Sequence, residues 1–455
     1  MTRTTAEILV DGVLDLPENL PERVEEAARL HLLDALGVGL AASRLGPASG
    51  LLGVARPDGP CTVLGAATGT TPADAALVNG TLVHSLEYDD THTGAVMHGS
   101  SVLAPAVLAA AEAGKAAAPE VVRAFVAGWE VLVRLGLAAP SGFQRAGFQG
   151  TSVAGPVAGA VAVGLLAGLD REGLLDAVAV AASFSAGNFT FLSRGASSKA
   201  AQAGIAAQAA ISAMQLVQGG ITGARDVFEG DRGFFGLYAD DPSAADRLRH
   251  LSGDLGSRWY LTDAAFKGVP CCHFLHPFVE AVAALGLPDG GCRRIHRILC
   301  RVPQGQETVI ALPWAAKQTP GQADEARWSL PYVVALQAVR GRVLLSDFVG
   351  PPDAEVLAVA ARVDWEIWPD SGYPALFPAE IEVEWTDGSV RTVTIDDVDG
   401  GVGRPWAADR VIEKFLGNCE AAGLPASWSV GFAAEVKDAG LPDLGSLRSL
   451  VSEAG

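Results

Sequence analysis

Between residues 20 and 216 the chain consists of apolar segments with helical periodicity, separated by glycines or short polar breaks. Hydrophobic residues make up 49% of the sequence but aromatic residues only 7%, so the interior is built mostly from alanine, valine and leucine. Small side chains let helices approach closely, which favours helix-on-helix packing over a β-sandwich. The predicted helices are Leu20–Ser43, Ala73–Leu86, Ser101–Ala113, Pro119–Leu137, Thr151–Ala167, Arg171–Ser185 and Ala200–Leu216.

Charge and cysteine content exclude several classes of protein. The formal net charge is −19 and the sequence has no cluster of lysine or arginine, so nucleic acid is not an expected partner. Six cysteines are too few for a disulfide framework in a chain of this length. The first residues, MTRTTAEILVDGVLDL, lack the apolar core of a signal peptide. We therefore expect a cytoplasmic protein.

One segment, Thr151–Leu169, is long enough to span a bilayer, because it runs 19 residues without a charge. Its glycine, alanine and proline content is high, and it has neither an aromatic belt nor a basic flank. These features favour a helix buried on all sides within a helical core. We therefore expect no membrane association.

The pattern changes after residue 264. Apolar and polar residues alternate in Arg294–Val302. They alternate again in Glu380–Trp385 and Val390–Ile395, which flank a Thr-Asp-Gly turn and predict a β-hairpin. Helical patterns at Leu330–Val339 and Asp353–Ala361 lie between these strands.

A chain of 455 residues exceeds the size of one ordinary core, and the change of pattern indicates where it divides. We predict a mainly α fold with a large all-helical domain of residues 1–264 and 401–455. A smaller α+β domain is predicted for residues 265–400. The later segment PWAADRVIEKFLGNCEAAG returns to a helical pattern and is expected to pack on the large domain.

Proton-handling side chains are concentrated in residues 84–101, HSLEYDDTHTGAVMHGSS. The segment starts at a predicted helix end and continues as a loop, in which Glu87, Thr91 and His98 can converge on one cleft. Asp89 is equally compatible with helix capping. His98 precedes a new apolar helix, whose first amide groups can bind an anion while the imidazole transfers a proton near neutral pH.

Three further segments carry charged or ligating residues. Lys199 lies in an alanine-rich helix, where burial is costly unless an acid meets the ammonium or the side chain reaches solvent. Arg232 lies in the glycine-bounded loop FEGDRGFFGLYA, which is also compatible with a plain turn. The segment FKGVPCCHFLHP contains Lys267, Cys272 and His276. Because no second CxxC pair accompanies it, we expect no metal, and a cysteine nucleophile would need a histidine partner in space.

Taken together, six segments resemble the MmgE/PrpD family of 2-methylcitrate dehydratase and cis-aconitate decarboxylase. They are VNGTLVHSLEYDDTHTGAVMHGSS, GFQGTSVAG, SKAAQAGIAAQ, FEGDRGFFG, FKGVPCCHFLHP and ARWSLPY, in the order of the family pattern and over nearly the whole chain. The resemblance implies a helical large domain, a smaller α+β lid domain, a homodimer, and an inter-domain cleft without metal or organic cofactor. The reactions it implies make or break a C–H bond beside a carboxylate of a small polycarboxylate.

The resemblance also implies roles for particular residues. His98 would act as general acid or base, Lys199 and Lys267 would neutralise substrate carboxylates, and Glu87 with Thr91 would orient the reacting group. The residues expected to contact substrate are Gln149, Gln202, Arg232, Cys272 and His276.

Four positions depart from the family pattern. Gln149 and Gln202 stand where the family commonly has histidine, and Cys272 stands where its decarboxylase-like branch has histidine. Glu87 replaces the usual aspartate. Glutamine can form a hydrogen bond but cannot transfer a proton, which suggests a changed substrate, a proton transfer with a single base, or a diverged activity.

Three functions are compatible with these residues. The first hypothesis is a cofactor-independent lyase, a dehydratase or decarboxylase, that transfers a proton at a carbon next to a carboxylate of a small di- or tricarboxylic acid. The second is an epimerase or isomerase that removes and returns an α-proton, which suits the smaller set of histidines. The third is a catalytically silent relative that binds a metabolite or a partner protein; retained lysines argue against it, because a scaffold does not need buried cations.

Overall fold

A computed structural model describes residues 3–193, 196–439 and 444–454. The chain is mainly α-helical, and the seven predicted helices are confirmed to within three residues at either end. The helices of the N-terminal part are α1 Thr5–Leu14, α2 Glu22–Leu45, α3 Pro72–Ser85, α4 Ser100–Gly114, α5 Ala118–Ala138, α6 Gly142–Arg145, α7 Gly150–Leu166, α8 Arg171–Ala182, α9 Ser198–Gln218, α10 Phe234–Ala239 and α11 Ala244–Ser252.

In the part of the chain after residue 264, helices are combined with a four-stranded sheet of order β2-β1-β3-β4. Strands β1 and β2 are parallel, whereas β1 with β3 and β3 with β4 are antiparallel. The strands are β1 Ile295–Pro303, β2 Val363–Trp368, β3 Ala379–Trp385 and β4 Val390–Ile395. The helices are α12 His276–Ala283, α13 Glu307–Ile310, α14 Trp314–Gln318, α15 Ala323–Ala326, α16 Leu330–Arg340, α17 Ala354–Ala360, α18 Ala408–Ala421, α19 Ala426–Ala439 and α20 Gly445–Ala454.

The predicted hairpin is confirmed as β3 and β4, with Gly388 in the left-handed region at φ +81° in its turn. Strand β2 was not predicted. It pairs with β1, which precedes it by about sixty residues, and it lies at the edge of the sheet. No hairpin turn marks such a strand in the sequence, since its partner is not its neighbour along the chain.

The packing of α3 against α9 depends on two glycines. A Cβ atom on Gly204 would lie 2.2 Å from the carbonyl oxygen of Leu77, and one on Gly80 would lie 2.8 Å from the Cα atom of Gly204. Close-packed interiors leave no room for such an atom. The helices run antiparallel, so the chain leaving α3 lies beside the start of α9, where Glu87 meets Lys199.

Buried apolar residues form two large clusters. The helical cluster is drawn from residues 6–264 and 415–447, and the sheet cluster from residues 271–398. Helix α18 belongs to the helical cluster, as predicted for the segment that contains it, because Phe415 packs closely on Gly37 of α2.

The uncharged segment Thr151–Leu169 forms α7, and residues 150–164 of that helix are buried. Its interpretation as a core helix is therefore confirmed. Within the described residues, α9 is long and apolar enough to cross a membrane, and half of its most apolar stretch is buried inside the protein. Burial of this kind is typical of a core helix in a helical body.

A buried ion pair joins α18 to α2, and its loss should destabilise the protein. Lys414 Nζ lies 2.7 Å from Asp34 Oδ1 and donates a hydrogen bond to the Tyr88 carbonyl oxygen, 2.8 Å away. We expect Lys414→Met to lower the free energy of unfolding by about 3 kcal/mol, because the buried Asp34 carboxylate loses its cation. Thermal unfolding measures this change. The double variant Asp34→Asn/Lys414→Met should recover at least half of the lost stability. If it is destabilised as much as Lys414→Met, the explanation is contradicted.

Candidate active site

The loop between α3 and α4 carries the acidic and imidazole groups of the site. It leaves α3 through Glu87, which has a left-handed φ of +53°. Further along, the Thr91 N–H donates to the Ala265 carbonyl oxygen at 3.0 Å, and the Ala265 N–H donates to the Thr91 carbonyl oxygen at 2.8 Å. This pair of hydrogen bonds fixes residues 264–267 against the loop and so brings Lys267 to the acidic groups.

Two lysines meet Glu87 in the interior. Lys199 Nζ donates to Glu87 Oε1. Lys267 Nζ donates to the Glu87 carbonyl oxygen at 3.1 Å and lies 3.7 Å from Glu87 Oε2 and 3.8 Å from Asp89 Oδ1. Burial lowers the pKa of Lys267, but the charges of Asp89 and Glu87 outweigh burial and raise that pKa, so the ammonium persists. Glu87 thus supplies the acid that the buried position of Lys199 requires.

His98 is held as a neutral imidazole. Its Nδ1 atom lies 3.0 Å from the backbone carbonyl oxygen of Asp90 and 3.2 Å from Thr91 Oγ1. Since a carbonyl oxygen only accepts, Nδ1 carries the proton and Nε2 keeps a lone pair. Burial lowers the pKa of His98 well below its ordinary value, because the attraction of Asp89 does not compensate for burial and the nearby lysines. At neutral pH, Nε2 can therefore accept a proton.

Asp89 connects His98 to a second histidine. Its Oδ2 atom lies 2.7 Å from His84 Nδ1 and 3.5 Å from His98 Nδ1. Burial raises the pKa of Asp89, but the combined attraction of His84, His98 and Lys267 lowers it well below the usual range. Asp89 is therefore a buried carboxylate, hydrogen-bonded to His84, whose charge acts on His98.

Among the described residues, one group has potential metal-binding atoms that all lie within 4.8 Å of one another. It consists of His84, Asp89 and His98. The Nδ1 atom of His98 points at the Asp90 carbonyl oxygen and carries a proton, so it is not free to bind a cation. We interpret the group as a hydrogen-bonded pair, His84 with Asp89, beside His98, which the Asp90 carbonyl oxygen holds. The segment FKGVPCCHFLHP does not contribute to it.

A cavity of about 490 Å³ opens beside these groups, between the helical and sheet clusters. Six of the residues predicted from the sequence line it, namely Glu87, Thr91, His98, Gln149, Lys199 and Cys272. Lys267 lies behind this lining and contacts Glu87.

Two of these lining residues have restricted chemistry. Gln149 caps α7, since its Oε1 atom accepts from the N–H and the hydroxyl of Ser152, each at 2.7 Å. Its Nε2 amide is then the group that can meet a ligand. Burial, together with the charge of Glu87, raises the pKa of Cys272 to about 11, so this residue is a thiol at neutral pH and a poor nucleophile.

The structure does not bring three predicted residues to the cavity. Gln202 Nε2 donates to the Asn188 carbonyl oxygen at 2.9 Å, outside the lining. Arg232 lines a separate hollow near α8 and the end of α9. His276 starts α12 and directs Nε2 towards the Cys271 carbonyl oxygen, 3.4 Å away, within the sheet cluster. The substrate contacts expected of these residues are therefore not supported by their positions.

His273 lines the cavity but was given no role from the sequence. Both ring nitrogens are buried and lack a hydrogen-bond partner among the described residues. Burial, with the charge of nearby groups that include His276 and Lys267, lowers the pKa of His273 well below its ordinary value, so the ring is neutral. The segment CCHFLHP showed two histidines, but only the turn before α12 decides which one faces the cavity.

Comparison with known proteins agrees with this arrangement. Residues 16–246 match the MmgE/PrpD N-terminal domain, and residues 269–426 match the MmgE/PrpD C-terminal domain. The chain belongs to the MmgE/PrpD family. The C-terminal family domain includes α18, whose apolar face nevertheless packs on the helical cluster.

Several members of the MmgE/PrpD family resemble the chain over most of its length. A cis-aconitate decarboxylase of Aspergillus terreus is 27% identical over 88% of this chain and 85% of its own. A cis-aconitate decarboxylase-like protein, oryM, of Aspergillus oryzae is 29% identical over 90% and 89%. The human cis-aconitate decarboxylase is 28% identical over 76% and 72%.

His92, in the same loop, should make the protein sensitive to acid. Its Nδ1 atom accepts from the Ala95 N–H at 3.1 Å, and burial lowers its pKa from 6.5 to about 4. Below pH 6.5 the unfolded chain binds a proton that the folded protein does not, so stability falls as pH decreases towards 4. Between pH 7 and pH 5 this residue should account for a loss of about 2 kcal/mol.

The His92→Asn variant keeps a hydrogen-bond acceptor for Ala95 but does not titrate. We therefore expect its Tm to fall less than that of the unmodified protein when the pH changes from 7 to 5. His296→Asn, at an exposed position of β1, is the matched control and should behave like the unmodified protein. An equal fall in Tm for all three proteins would contradict the prediction.

Proposed function

We propose that the protein is a cofactor-independent decarboxylase that removes carbon dioxide from a small unsaturated carboxylic acid. The observation that carries this proposal is the neutral imidazole of His98, which faces the cavity beside the cluster of Glu87, Lys199 and Lys267. An imidazole in this setting can transfer one proton, and the ammonium groups can stabilise charge that develops on a carboxylate. The names of the fungal and human relatives support the same class of reaction.

Substrate binding would supply the proton. A carboxylate bound near His98 favours the imidazolium form, because an opposite charge raises the pKa of histidine. In the proposed reaction the C–C bond to one carboxylate breaks and carbon dioxide leaves. The electron pair shifts through the double bond towards a second carboxylate, and the Nε2–H of His98 protonates the carbon. His98 returns to its neutral form, and one proton has been taken up from solvent.

The remainder of the lining favours decarboxylation over dehydration. Elimination of water needs a base for the C–H proton and an acid for the hydroxyl group. Gln149 supplies neither, and the thiol of Cys272 is a weak acid. His273 also lines the cavity, but neither of its ring nitrogens has a hydrogen-bond partner among the described residues that could deliver or remove a proton. Apolar groups of the lining, such as Phe274 and Phe377, remove water from a leaving carboxylate, and this destabilises the charged ground state.

The three hypotheses can be separated with candidate acids in deuterated water. Release of carbon dioxide with incorporation of one deuterium per product would support the decarboxylase. Exchange of deuterium without loss of carbon dioxide or water would indicate an isomerase. Thermal stabilisation by the acids without turnover or exchange would indicate a silent binding protein, and loss of water would indicate a dehydratase.

Replacement of His98 should abolish turnover without unfolding the protein. In His98→Asn the side-chain amide can still donate to the Asp90 carbonyl oxygen, but the proton-transferring Nε2 atom is lost. We expect kcat to fall by about 10²–10⁴-fold with a Tm close to that of the unmodified protein. His92→Asn, in the same loop but outside the cavity, is the matched control and should retain turnover. Full activity of His98→Asn would remove this residue from the mechanism.

Gln149→His should add a second proton-transferring group to the cavity. The variant ring can cap α7 through one nitrogen and face the ligand with the other. We expect water elimination from a hydroxylated tricarboxylic acid to increase by about tenfold or more, as measured by absorbance of the unsaturated product. Gln202→His, outside the cavity, should show no increase. If neither variant changes the rate, the position of residue 149 relative to the reacting carbon differs from the one proposed.

A further inference from the structure

The cavity has a charged wall and an apolar wall. Glu87, His98 and Lys199 lie on the charged wall, which belongs to the helical part of the chain. Half-buried apolar side chains form much of the remaining lining. They are Val96, Phe189, Leu192, Val309, Trp328 and Tyr373.

The apolar wall is supported by packed rings. The Phe274 ring centroid lies 5.1 Å from that of Phe377 and 5.7 Å from that of Tyr373, and the Trp328 ring lies 5.8 Å from Phe191. An apolar surface that is already in place binds apolar groups without a further ordering cost. A ligand with charge at every end would instead place part of that charge against this surface.

The positive charges of the charged wall are already paired with acids. Lys199 and Lys267 contribute two ammonium groups, and Glu87 and Asp89 offset them with two carboxylates. Among the described residues that line the cavity, the cationic side chain besides Lys199 is that of Arg145. It is exposed and donates a hydrogen bond to the Pro140 carbonyl oxygen at 3.0 Å. Arg327, a buried cation near Glu87, is itself countered by the charge of Asp324. A tricarboxylate would therefore bring three negative charges to groups whose charges already balance, whereas a dicarboxylate leaves fewer charges without a partner.

The cavity is also large for a bare tricarboxylic acid. Its volume of about 490 Å³ falls within the roughly 300–1,000 Å³ of pockets that hold drug-sized ligands. With both carboxylates at the charged wall, the space beside Phe189, Leu192 and Val309 is left for carbon.

We propose that the substrate is an unsaturated dicarboxylate with an alkyl chain of several carbons in place of one carboxylate of a tricarboxylate. This proposal rests on the proposed decarboxylase function. In a 3-alkylpent-2-enedioate the bond between the saturated carbon C4 and the carboxylate carbon C5 breaks and releases carbon dioxide. Its electron pair moves through the double bond, and the carbon next to the remaining carboxylate receives the proton from His98 Nε2. The alkyl chain lies along the apolar wall and takes no part in the bond changes.

The test compares 3-alkylpent-2-enedioates with methyl, butyl and hexyl chains against cis-aconitate. We expect kcat/KM to rise about threefold for each added methylene group until the apolar wall is covered. Binding of saturated alkylsuccinates, which cannot lose carbon dioxide by this route, is measured in parallel by calorimetry. Their affinity should show the same dependence on chain length.

A substitution in the apolar wall tests where the alkyl chain of the substrate lies. Leu192→Ser should lower the ratio of kcat/KM for the hexyl compound to that for the methyl compound by about fivefold or more, because it removes apolar surface from the lining. Leu237→Ser, at an exposed position of α10, is the matched control and should leave that ratio unchanged.

The outcomes separate the two proposals. If cis-aconitate is the best substrate and the rate falls with chain length, the alkyl proposal is overturned and the decarboxylase function stands. If no acid is turned over but alkylsuccinate affinity rises with chain length, the decarboxylase function fails and the apolar subsite stands. If the affinity for alkylsuccinates does not change with chain length, the apolar subsite is overturned, whether or not any acid is turned over.

Discussion

The buried cluster of Glu87 with Lys199 and Lys267 is the interaction on which the site depends. Its members come from the end of α3, the start of α9 and the segment after residue 264, so the cluster holds three distant parts of the chain together. The glycine contact between α3 and α9 makes this possible, because it sets the helix separation at which the ion pair forms. A side chain at Gly80 or Gly204 would push the pair apart.

Electrostatic balance within the cluster explains the state of the imidazole beside it. Lys267 remains charged because Asp89 and Glu87 raise its pKa, and buried His98 remains neutral because burial and the nearby lysines outweigh Asp89. A histidine held in this way changes its protonation when a charged ligand arrives. In the proposed decarboxylation, the substrate itself would then control the proton that is consumed, which a site with a permanently charged histidine could not arrange.

The position of the cavity between two apolar clusters gives it walls of different chemistry. The helical cluster supplies the charged groups, and the sheet cluster supplies His273, Phe274 and Phe377. The apolar surface is not confined to the sheet cluster, because Phe189 and Leu192 come from the helical part of the chain.

The sequence by itself determined the seven predicted helices between residues 20 and 216, the hairpin of β3 and β4 and the family, since these depend on local periodicity, turn chemistry and ordered motifs. It did not indicate shorter helices such as α1 and α11. It also indicated that Lys199 needs an acid, because burial of an ammonium is costly in any fold. Only the tertiary structure decided which residues line the cavity. His273 lines it, whereas the predicted residues Gln202, Arg232 and His276 do not. Strand β2 likewise depended on a distant partner. Side-chain direction at a helix start, and contacts between segments far apart in the chain, are set by packing, which local pattern does not encode.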